Sequence, residues 1–194
     1  MVVHSTNPIL FAVMFKRPQP PDIEIIATGG FFEKRNLKDG VAHYPNVNES
    51  YINKSLSKAL GPPVLVTTLF LKDSSNITDD DRRLISEKVI LSPLPRIIIV
   101  HGTSTLDVTT RFLFNFGLKK TIVLTGTTSG FDDRPEEGLF NLGAAIGLVQ
   151  ALPHGVYGVM NGRIIPPMSL RKDAQSGRFD TASGEHLLNI SDRT

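Results

Sequence analysis

The chain has 194 residues, 40% hydrophobic and 21% charged, which fits one globular domain with a single core. Its 21 Lys and Arg nearly balance its 19 Asp and Glu, and the resulting formal charge of +2 argues against nucleic acid or a membrane as a partner. The absence of cysteine excludes disulfides and thiolate chemistry and agrees with a reducing, cytoplasmic compartment.

The N-terminal stretch carries an isolated apolar run, Ile9–Phe15, which is followed by Lys16-Arg17 and a proline-rich segment. A signal peptide has its charge before the apolar run and small residues after it, and a membrane span is far longer. The run is therefore interpreted as an extra strand, an interface segment or an upstream remnant. We assign residues 1–22 to an N-terminal arm and linker, 23–180 to an α/β domain, and 181–194 to a polar, partly mobile tail.

Strand-like and helix-like segments alternate along the rest of the chain. The predicted strands are Ile23–Ala27, Val64–Leu71, Ile97–Val100, Thr121–Leu124, Gly155–Met160 and Arg163–Ile165. The predicted helices are Tyr51–Leu60, Asp79–Ile90, Asp107–Phe116 and Leu139–Ala151. This alternation predicts an α/β fold with a doubly wound, mostly parallel sheet, a Rossmann-like or flavodoxin-like three-layer sandwich.

Two helix starts carry local capping signals. Thr78 precedes three aspartates, which predicts an N-cap followed by acids in the first turn. Ser104 and Asp107 have the spacing of a capping box, although Asp is shorter than the usual Glu.

The predicted strands end in loops rich in glycine and hydroxyl side chains. These loops are Thr28-Gly29-Gly30, Lys72-Asp73-Ser74-Ser75, His101-Gly102-Thr103-Ser104-Thr105 and Thr125-Gly126-Thr127-Thr128. Any one of them is ordinary turn chemistry, but the carboxyl ends of parallel strands meet at one edge, where ligands bind. We therefore expect Thr28–Phe31, Ser74, Thr103 and Lys172 to converge on one site.

At these loops the sequence resembles the bacterial-type L-asparaginases, in their N-terminal domain and in a short single-domain form. Ala27-Thr28-Gly29-Gly30 and His101-Gly102-Thr103-x-Thr105 are similar to the two signature loops of that family. The Lys72–Asp79 stretch, Leu124-Thr125-Gly126, Gly138–Leu142 and the stretch Gly155–Pro167 with Arg171-Lys172 extend the resemblance, which runs from about Ile23 to about Phe179.

The resemblance implies hydrolysis of the side-chain amide of asparagine to aspartate and ammonia by a threonine nucleophile. A hydroxyl needs a neighbour that takes its proton, and a desolvated lysine can be that base. Main-chain N–H groups stabilise the oxyanion, and an acid matches the ammonium of the amino-acid substrate. No cofactor or metal is implied, and the five scattered histidines show no metal-ligand spacing.

Carried over by position, the resemblance places catalytic roles on Thr103, Lys172 and Tyr44. It places Gly30, Phe31, Ser74, Ser75 and Ser104 at the substrate. For Tyr44 the alternative is an ordinary surface tyrosine. For Lys172 the alternatives are Arg171 in a shifted register or a surface basic pair.

Two of the five central catalytic groups are replaced. The nucleophilic threonine falls on Phe31, which has no hydroxyl and whose ring would enter the space for the asparagine side chain. The aspartate falls on Ser104, which keeps hydrogen bonding and loses the charge. Whether the chain is an enzyme is therefore left open, and weakened or lost asparaginase activity is expected.

Two alternatives remain besides a weakened amidohydrolase that uses Thr103. One is a pseudoenzyme that binds a small amino acid or amide, or serves as an assembly partner. The other is a nucleotide binder, which is disfavoured because no G-x-G-x-x-G follows the first strand and no Walker-type lysine appears. A homo-oligomer is expected from the resemblance, because a neighbouring subunit completes the site in the two-domain enzymes.

Overall fold

Residues 20–36, 42–46, 50–173 and 175–181 are described in the computed structural model of the chain. The predictions for residues 1–19 and 182–194 lie outside these residues. The described strands are β1 (Ile23–Gly29), β2 (Arg35–Asn36), β3 (Ala42–His43), β4 (Val64–Lys72), β5 (Arg96–Val100), β6 (Thr121–Thr125), β7 (Gly155–Met160), β8 (Arg163–Ile165), β9 (Leu170–Lys172) and β10 (Phe179–Thr181). The described helices are α1 (Tyr51–Lys58), α2 (Asp79–Leu91), α3 (Leu106–Phe114) and α4 (Pro135–Ala151).

The main sheet has six strands in the order β4-β1-β5-β6-β7-β8. The first five run parallel, and β8 runs antiparallel to β7. Ile23 pairs with Val64 on one side and with Arg96 on the other, so β1 lies between β4 and β5. The chain passes from β1 to β4 at the sheet edge and then back over β1 to β5. This order is the doubly wound, flavodoxin-like arrangement, and it confirms the predicted fold class.

Helices cover both faces of the sheet. On one face α2 and α3 pack through Ile85, Val89, Leu106 and Leu113. On the other face α1 and α4 pack through Ile52, Leu142, Ala145 and Val149. Successive residues of β5 point to opposite faces, and Ile97, Ile98, Ile99 and Val100 are all fully buried, as a strand covered on both sides requires. Within the described ranges, no helix is long and apolar enough to cross a bilayer.

Several element bounds differ from the prediction. Helix α1 ends at Lys58 rather than Leu60, because Ala59 is already extended ahead of Gly61-Pro62-Pro63. Helix α4 begins at Pro135 rather than Leu139, with proline in its first turn and two acids beside it, a favourable helix start that the sequence contained. The strands β2, β3, β9 and β10 have two or three residues each and were not predicted.

One of the two capping predictions is confirmed. The Thr78 side chain accepts a hydrogen bond from the Asp81 amide, and the Asp81 carboxylate accepts one from the Thr78 amide, which is a complete capping box. The Ser104–Asp107 capping box is wrong. The N-cap of α3 is Thr105, whose hydroxyl donates to the Ser74 carbonyl rather than capping the helix. The Asp107 carboxylate pairs instead with Arg111 one turn later at 2.7 Å.

Candidate active site

The two signature loops meet at the carboxyl ends of β1 and β5. Gly29 and Gly30 have positive φ angles of 104° and 73°, which turn the chain away from the sheet. The Gly30 amide donates to the Lys72 carbonyl at 2.9 Å, and a Cβ on Gly30 would lie 2.6 Å from the Gly102 nitrogen. The two loop backbones therefore touch, and no larger residue fits between them.

Ser74 links β4 to the loop that follows β5. It is 2% exposed, and its hydroxyl oxygen accepts a hydrogen bond from the Ser104 amide at 3.0 Å. Its carbonyl accepts the Thr105 hydroxyl at 2.7 Å. A Cβ on Gly102 would lie 2.5 Å from the Ser74 Oγ, so glycine at 102 makes this approach possible. The Ser74 hydroxyl is therefore held in place by its neighbours.

Ser75 stands outside this contact. Its side chain is exposed, and its amide and hydroxyl both bond to the Asp73 carboxylate, at 3.0 and 2.8 Å, in the short 3₁₀ turn Ser74–Asn76. The Ser104 side chain is exposed as well, and that residue joins the site through its backbone amide.

Thr103 and Lys172 lie side by side. The Lys172 Nζ donates to the Thr103 Oγ1 at 3.1 Å, and Thr103 is 2% exposed. Lys172 belongs to the β9–β10 hairpin, which is anchored by the buried Leu170 over Gly158. Arg171 bonds to the Leu170 carbonyl, so Lys172 and not Arg171 reaches the threonine. In the part of the chain that the structure describes, no carboxylate lies within ion-pair distance of Lys172.

Tyr44 lies at the edge of the same site. Burial, with the charge of Asp73, raises the pKa of Tyr44 to about 12, while the neighbouring Gly30 backbone acts in the opposite direction. The buried hydroxyl has no hydrogen-bond partner of good geometry among the described residues. The phenol is thus kept protonated near the Gly-Gly turn, where it can donate a hydrogen bond and is a poor base.

The two phenylalanines after Gly30 have different environments. Phe32 is 1% exposed and packs on Phe131 with ring centroids 5.2 Å apart, so it belongs to the core. Phe31 is half-buried, and the Lys34 ammonium sits 4.9 Å from its ring centroid while pairing with Asp73 at 3.4 Å. The Phe31 ring is therefore connected through Lys34 to the loop that carries Ser74.

The carboxylate of Glu33 fixes the chain just after Phe32 and was not anticipated. It is fully buried and accepts hydrogen bonds from the Ser50 hydroxyl at 2.5 Å and from the amides of Tyr51 and Ile52 at 3.0 and 3.3 Å. These amides form the first turn of α1, where a negative charge is favourable. Burial raises the pKa of Glu33, although the three hydrogen bonds oppose that effect.

Two strand-end threonines hold the sheet rather than face a ligand. The Thr28 hydroxyl donates to the Val100 carbonyl at 3.0 Å, and the Thr125 hydroxyl donates to the Val159 carbonyl at 2.8 Å. Thr28 therefore contributes to the site by fixing β1 against β5. Of the expected Thr28–Phe31 stretch, only the Gly-Gly turn and Phe31 lie at the candidate site.

Behind the second signature loop lies a buried histidine whose role the sequence did not reveal. The Arg82 Nε donates to the Thr109 hydroxyl at 3.3 Å, and that hydroxyl lies 2.9 Å from the His101 Nε2. The His101 Nδ1 lies 2.7 Å from the Gly102 carbonyl, which can only accept, so Nδ1 carries the proton and Nε2 accepts from Thr109. This chain of hydrogen bonds holds the backbone that presents Thr103.

We expect His101 to make the fold acid-sensitive. Burial lowers its pKa to about 4, with Arg82 acting in the same direction and the Gly102 carbonyl and Asp107 opposing it. Between about pH 6.5 and about pH 4 the unfolded chain therefore binds a proton that the folded chain does not. The free energy of unfolding should decrease by up to about 3 kcal/mol as the pH is lowered through this range. Urea unfolding across this window tests it. His101→Asn should flatten the slope, whereas the exposed His154→Asn should keep it, and equal slopes in all three proteins would contradict the assignment.

Several solved structures share the fold of this chain. The L-asparaginase of Thermococcus kodakarensis superposes with a TM-score of 0.71 and 20% identity, covering 82% of this chain and 50% of that one. L-asparaginase I of Vibrio cholerae gives 0.69 and 23%, covering 84% and 52%. A protein of Campylobacter jejuni described as a probable cytoplasmic L-asparaginase gives 0.68 and 21%, covering 84% and 54%. The TM-scores establish the shared fold, and the chain spans about half the length of each of these structures.

The sequence itself gives the more specific match. No curated protein matches it. The family described as "Asparaginase, N-terminal" matches residues 22–193, which is nearly the whole chain. The chain therefore belongs to the asparaginase family, through its N-terminal domain.

Proposed function

We propose that this chain binds a small amino acid or amide at the Ser74–Thr103–Lys172 site and has weak or no asparaginase activity. The observation that carries the proposal is the 3.1 Å contact between Lys172 and Thr103 beside the buried Ser74, in a chain whose residue 31 is phenylalanine. Hydroxyls, backbone amides and one ammonium are the groups that recognise the carboxylate and amide of such a ligand.

The same site lacks two groups that hydrolysis requires. Phe31 offers no hydroxyl at the position that the family resemblance gives to the nucleophile. Ser104 cannot supply a negative charge for a substrate ammonium, and Lys172 has no carboxylate partner among the described residues. Binding of the ligand's carboxylate can survive these changes, whereas attack on its amide cannot proceed at position 31.

A second candidate function is slow amide hydrolysis with Thr103 as the nucleophile. In that reaction Lys172 would take the Thr103 proton as the Thr103 oxygen attacks the amide carbon, and would return it to the amide nitrogen, so that the C–N bond breaks and ammonia leaves. Water would then hydrolyse the ester formed on Thr103, which releases the acid and the free hydroxyl. The contact between the two side chains favours it. The exposure of Lys172 disfavours it, because a lysine acts as a base when it is desolvated.

The binding site is tested by calorimetric titration of the chain with asparagine, glutamine and aspartate. We expect saturable binding of at least one of them, weakened about tenfold by Thr103→Ala and by Lys172→Ala, because each removes a hydrogen bond worth about 1–3 kcal/mol. Arg171→Ala is the matched control, since Arg171 is a neighbouring exposed cation that bonds to its own strand. Absence of saturable heat with all three ligands, or equal losses in the Arg171 variant, would reject the site.

A cytoplasmic location and a homo-oligomeric state are part of the same proposal. The absence of cysteine agrees with a reducing compartment. The site lies at the carboxyl-end edge of the parallel strands, and a second copy of the chain that covered this edge would exclude water from the site. Light scattering and sedimentation of the purified chain test the oligomeric state.

A further inference from the structure

On the face of the sheet opposite α2 and α3, a groove runs between α1 and α4. Its volume is about 560 Å³, and its walls and floor are mostly apolar, formed by Leu56, Leu60, Pro63, Val64, Val66 and Ile146 among others. We call it the α1–α4 groove. The β9–β10 hairpin, which carries Lys172, packs on the other face of the sheet through Leu170 and Phe179. None of the residues assigned to the binding site lines the groove.

Two features beside the α1–α4 groove, an exposed leucine and an apolar edge strand, are typical of a surface that is covered in the folded protein. Leu60 is fully exposed beside it. Strand β4, which supplies its floor, is nine residues long, lies at the edge of the main sheet and has no partner on its outer side among the described residues. A long apolar edge strand without proline or charge in its first eight residues is a liability that proteins normally cover.

We propose that the apolar N-terminal segment Ile9–Phe15 of the same chain occupies the α1–α4 groove. The segment has seven consecutive apolar residues, ILFAVMF, and it lies outside the described residues. It is the longest apolar run before β1, because the other apolar run there, Met1-Val2-Val3, has only three residues and the remainder is polar, charged or proline-rich.

The point at which the chain enters the domain supports this occupant. The described chain begins at Pro20, and Ile23 pairs with Val64, a residue of the groove floor, across a strand spacing of about 4.8 Å. From Phe15 to Ile23 the chain can extend at most about 26–29 Å, which suffices to cross β4 and turn back over the groove. Lys16 and Arg17 would then lie in solvent at the end of the groove.

Cysteine cross-linking tests the proposal, because the full chain contains no cysteine of its own. Phe11→Cys is combined with Leu60→Cys in the full chain and treated with a short bifunctional maleimide. Phe11→Cys with Leu91→Cys is the matched control. Leu91 is an exposed leucine at the end of α2 on the opposite face, five residues along the chain before Arg96, which pairs with Asp22. Both partner positions are therefore exposed leucines close to the end of a helix, and they lie on opposite faces of the sheet.

We expect an intramolecular cross-link in the Leu60 pair with at least tenfold higher yield than in the Leu91 pair, identified by mass spectrometry of the monomer. Equal yields would overturn the proposal. A cross-linked dimer in place of the intramolecular product would also overturn it, since the groove would then hold the segment of a second copy.

Two glycines of α4 provide an independent test by blocking the groove. A Cβ on either Gly143 or Gly147 meets no atom within 4 Å, so both positions accept a larger side chain, but only Gly143 lines the groove. Gly143→Leu, added to the Leu60 pair, should lower the intramolecular yield about tenfold, and Gly147→Leu should leave it unchanged. Unchanged yield in both variants would overturn the proposal.

Discussion

Purified wild-type chain should release ammonia from asparagine at no more than a trace rate. The family resemblance puts the nucleophile at residue 31, and Phe31 has no oxygen to form an acyl-enzyme. Removing the principal nucleophile of a concerted site leaves only the acceleration from oxyanion contacts and binding, with a loss of about a million-fold in turnover. Ser104 removes the acid as well, though the two losses are not additive because the groups act as a unit.

Restoring the two side chains should restore part of the rate. We expect Phe31→Thr with Ser104→Asp to release measurable ammonia, because Lys172 already contacts Thr103 and Ser74 is already bonded to the backbone amide of residue 104. Phe31→Thr alone should release less, since Lys172 still lacks a carboxylate. Phe31→Leu with Ser104→Asp is the control, because it removes the ring without adding a hydroxyl.

Ammonia release is measured for the wild type, the single variants, the double variant and the control. Robust turnover by the wild type that Thr103→Ala abolishes would refute the loss of activity and make Thr103 the nucleophile. A folded double variant that stays silent would refute the restoration, and the binding function would then stand on the titration alone.

The sheet could be predicted from sequence because its signals are local and strong. Ile97–Val100 is four consecutive β-branched residues, and the structure buries all four completely. Thr78 with Asp81 specified its own helix start through contacts three residues apart. Where two local patterns competed, the prediction failed, as at Ser104 and Asp107, because the Arg111 side chain one turn further on took the carboxylate.

The parts of the site that join distant segments left no comparable pattern. Glu33 caps α1 through residues 17 to 19 positions later, and no local spacing connects them. Lys172 reaches Thr103, 69 positions away, because a hairpin of two three-residue strands carries it there. The predicted convergence of Ser74, Thr103 and Lys172 came from the family resemblance and the rule for parallel strand ends, and their roles remain predictions.

The glycines of the rim show why the site tolerates so little change in its backbone. A Cβ on Gly126 would overlap the carbonyl oxygen of His101, which is backbone and cannot move aside as a side chain can. The Gly126 carbonyl is also held by the Asn141 side chain at 2.8 Å, and the same Asn141 accepts the Asn161 amide at 2.9 Å. The end of β6 is therefore fixed between the loop of Thr103 and the end of β7.

Gly126→Ala should accordingly unfold the chain at a much lower temperature than the wild type. The overlap forces β5 and β6 apart at their carboxyl ends, and we expect a loss of about 3 kcal/mol or more, or roughly 6–12 °C in the unfolding midpoint. Gly147→Ala is the matched control, because a Cβ there meets nothing within 4 Å and a helical glycine replaced by alanine should gain about 0.5–1 kcal/mol. Calorimetry of the two variants decides the matter. A midpoint for Gly126→Ala within a degree or two of the wild type would mean that the two loops are not in contact, and the packing that positions Thr103 would have to be abandoned with it.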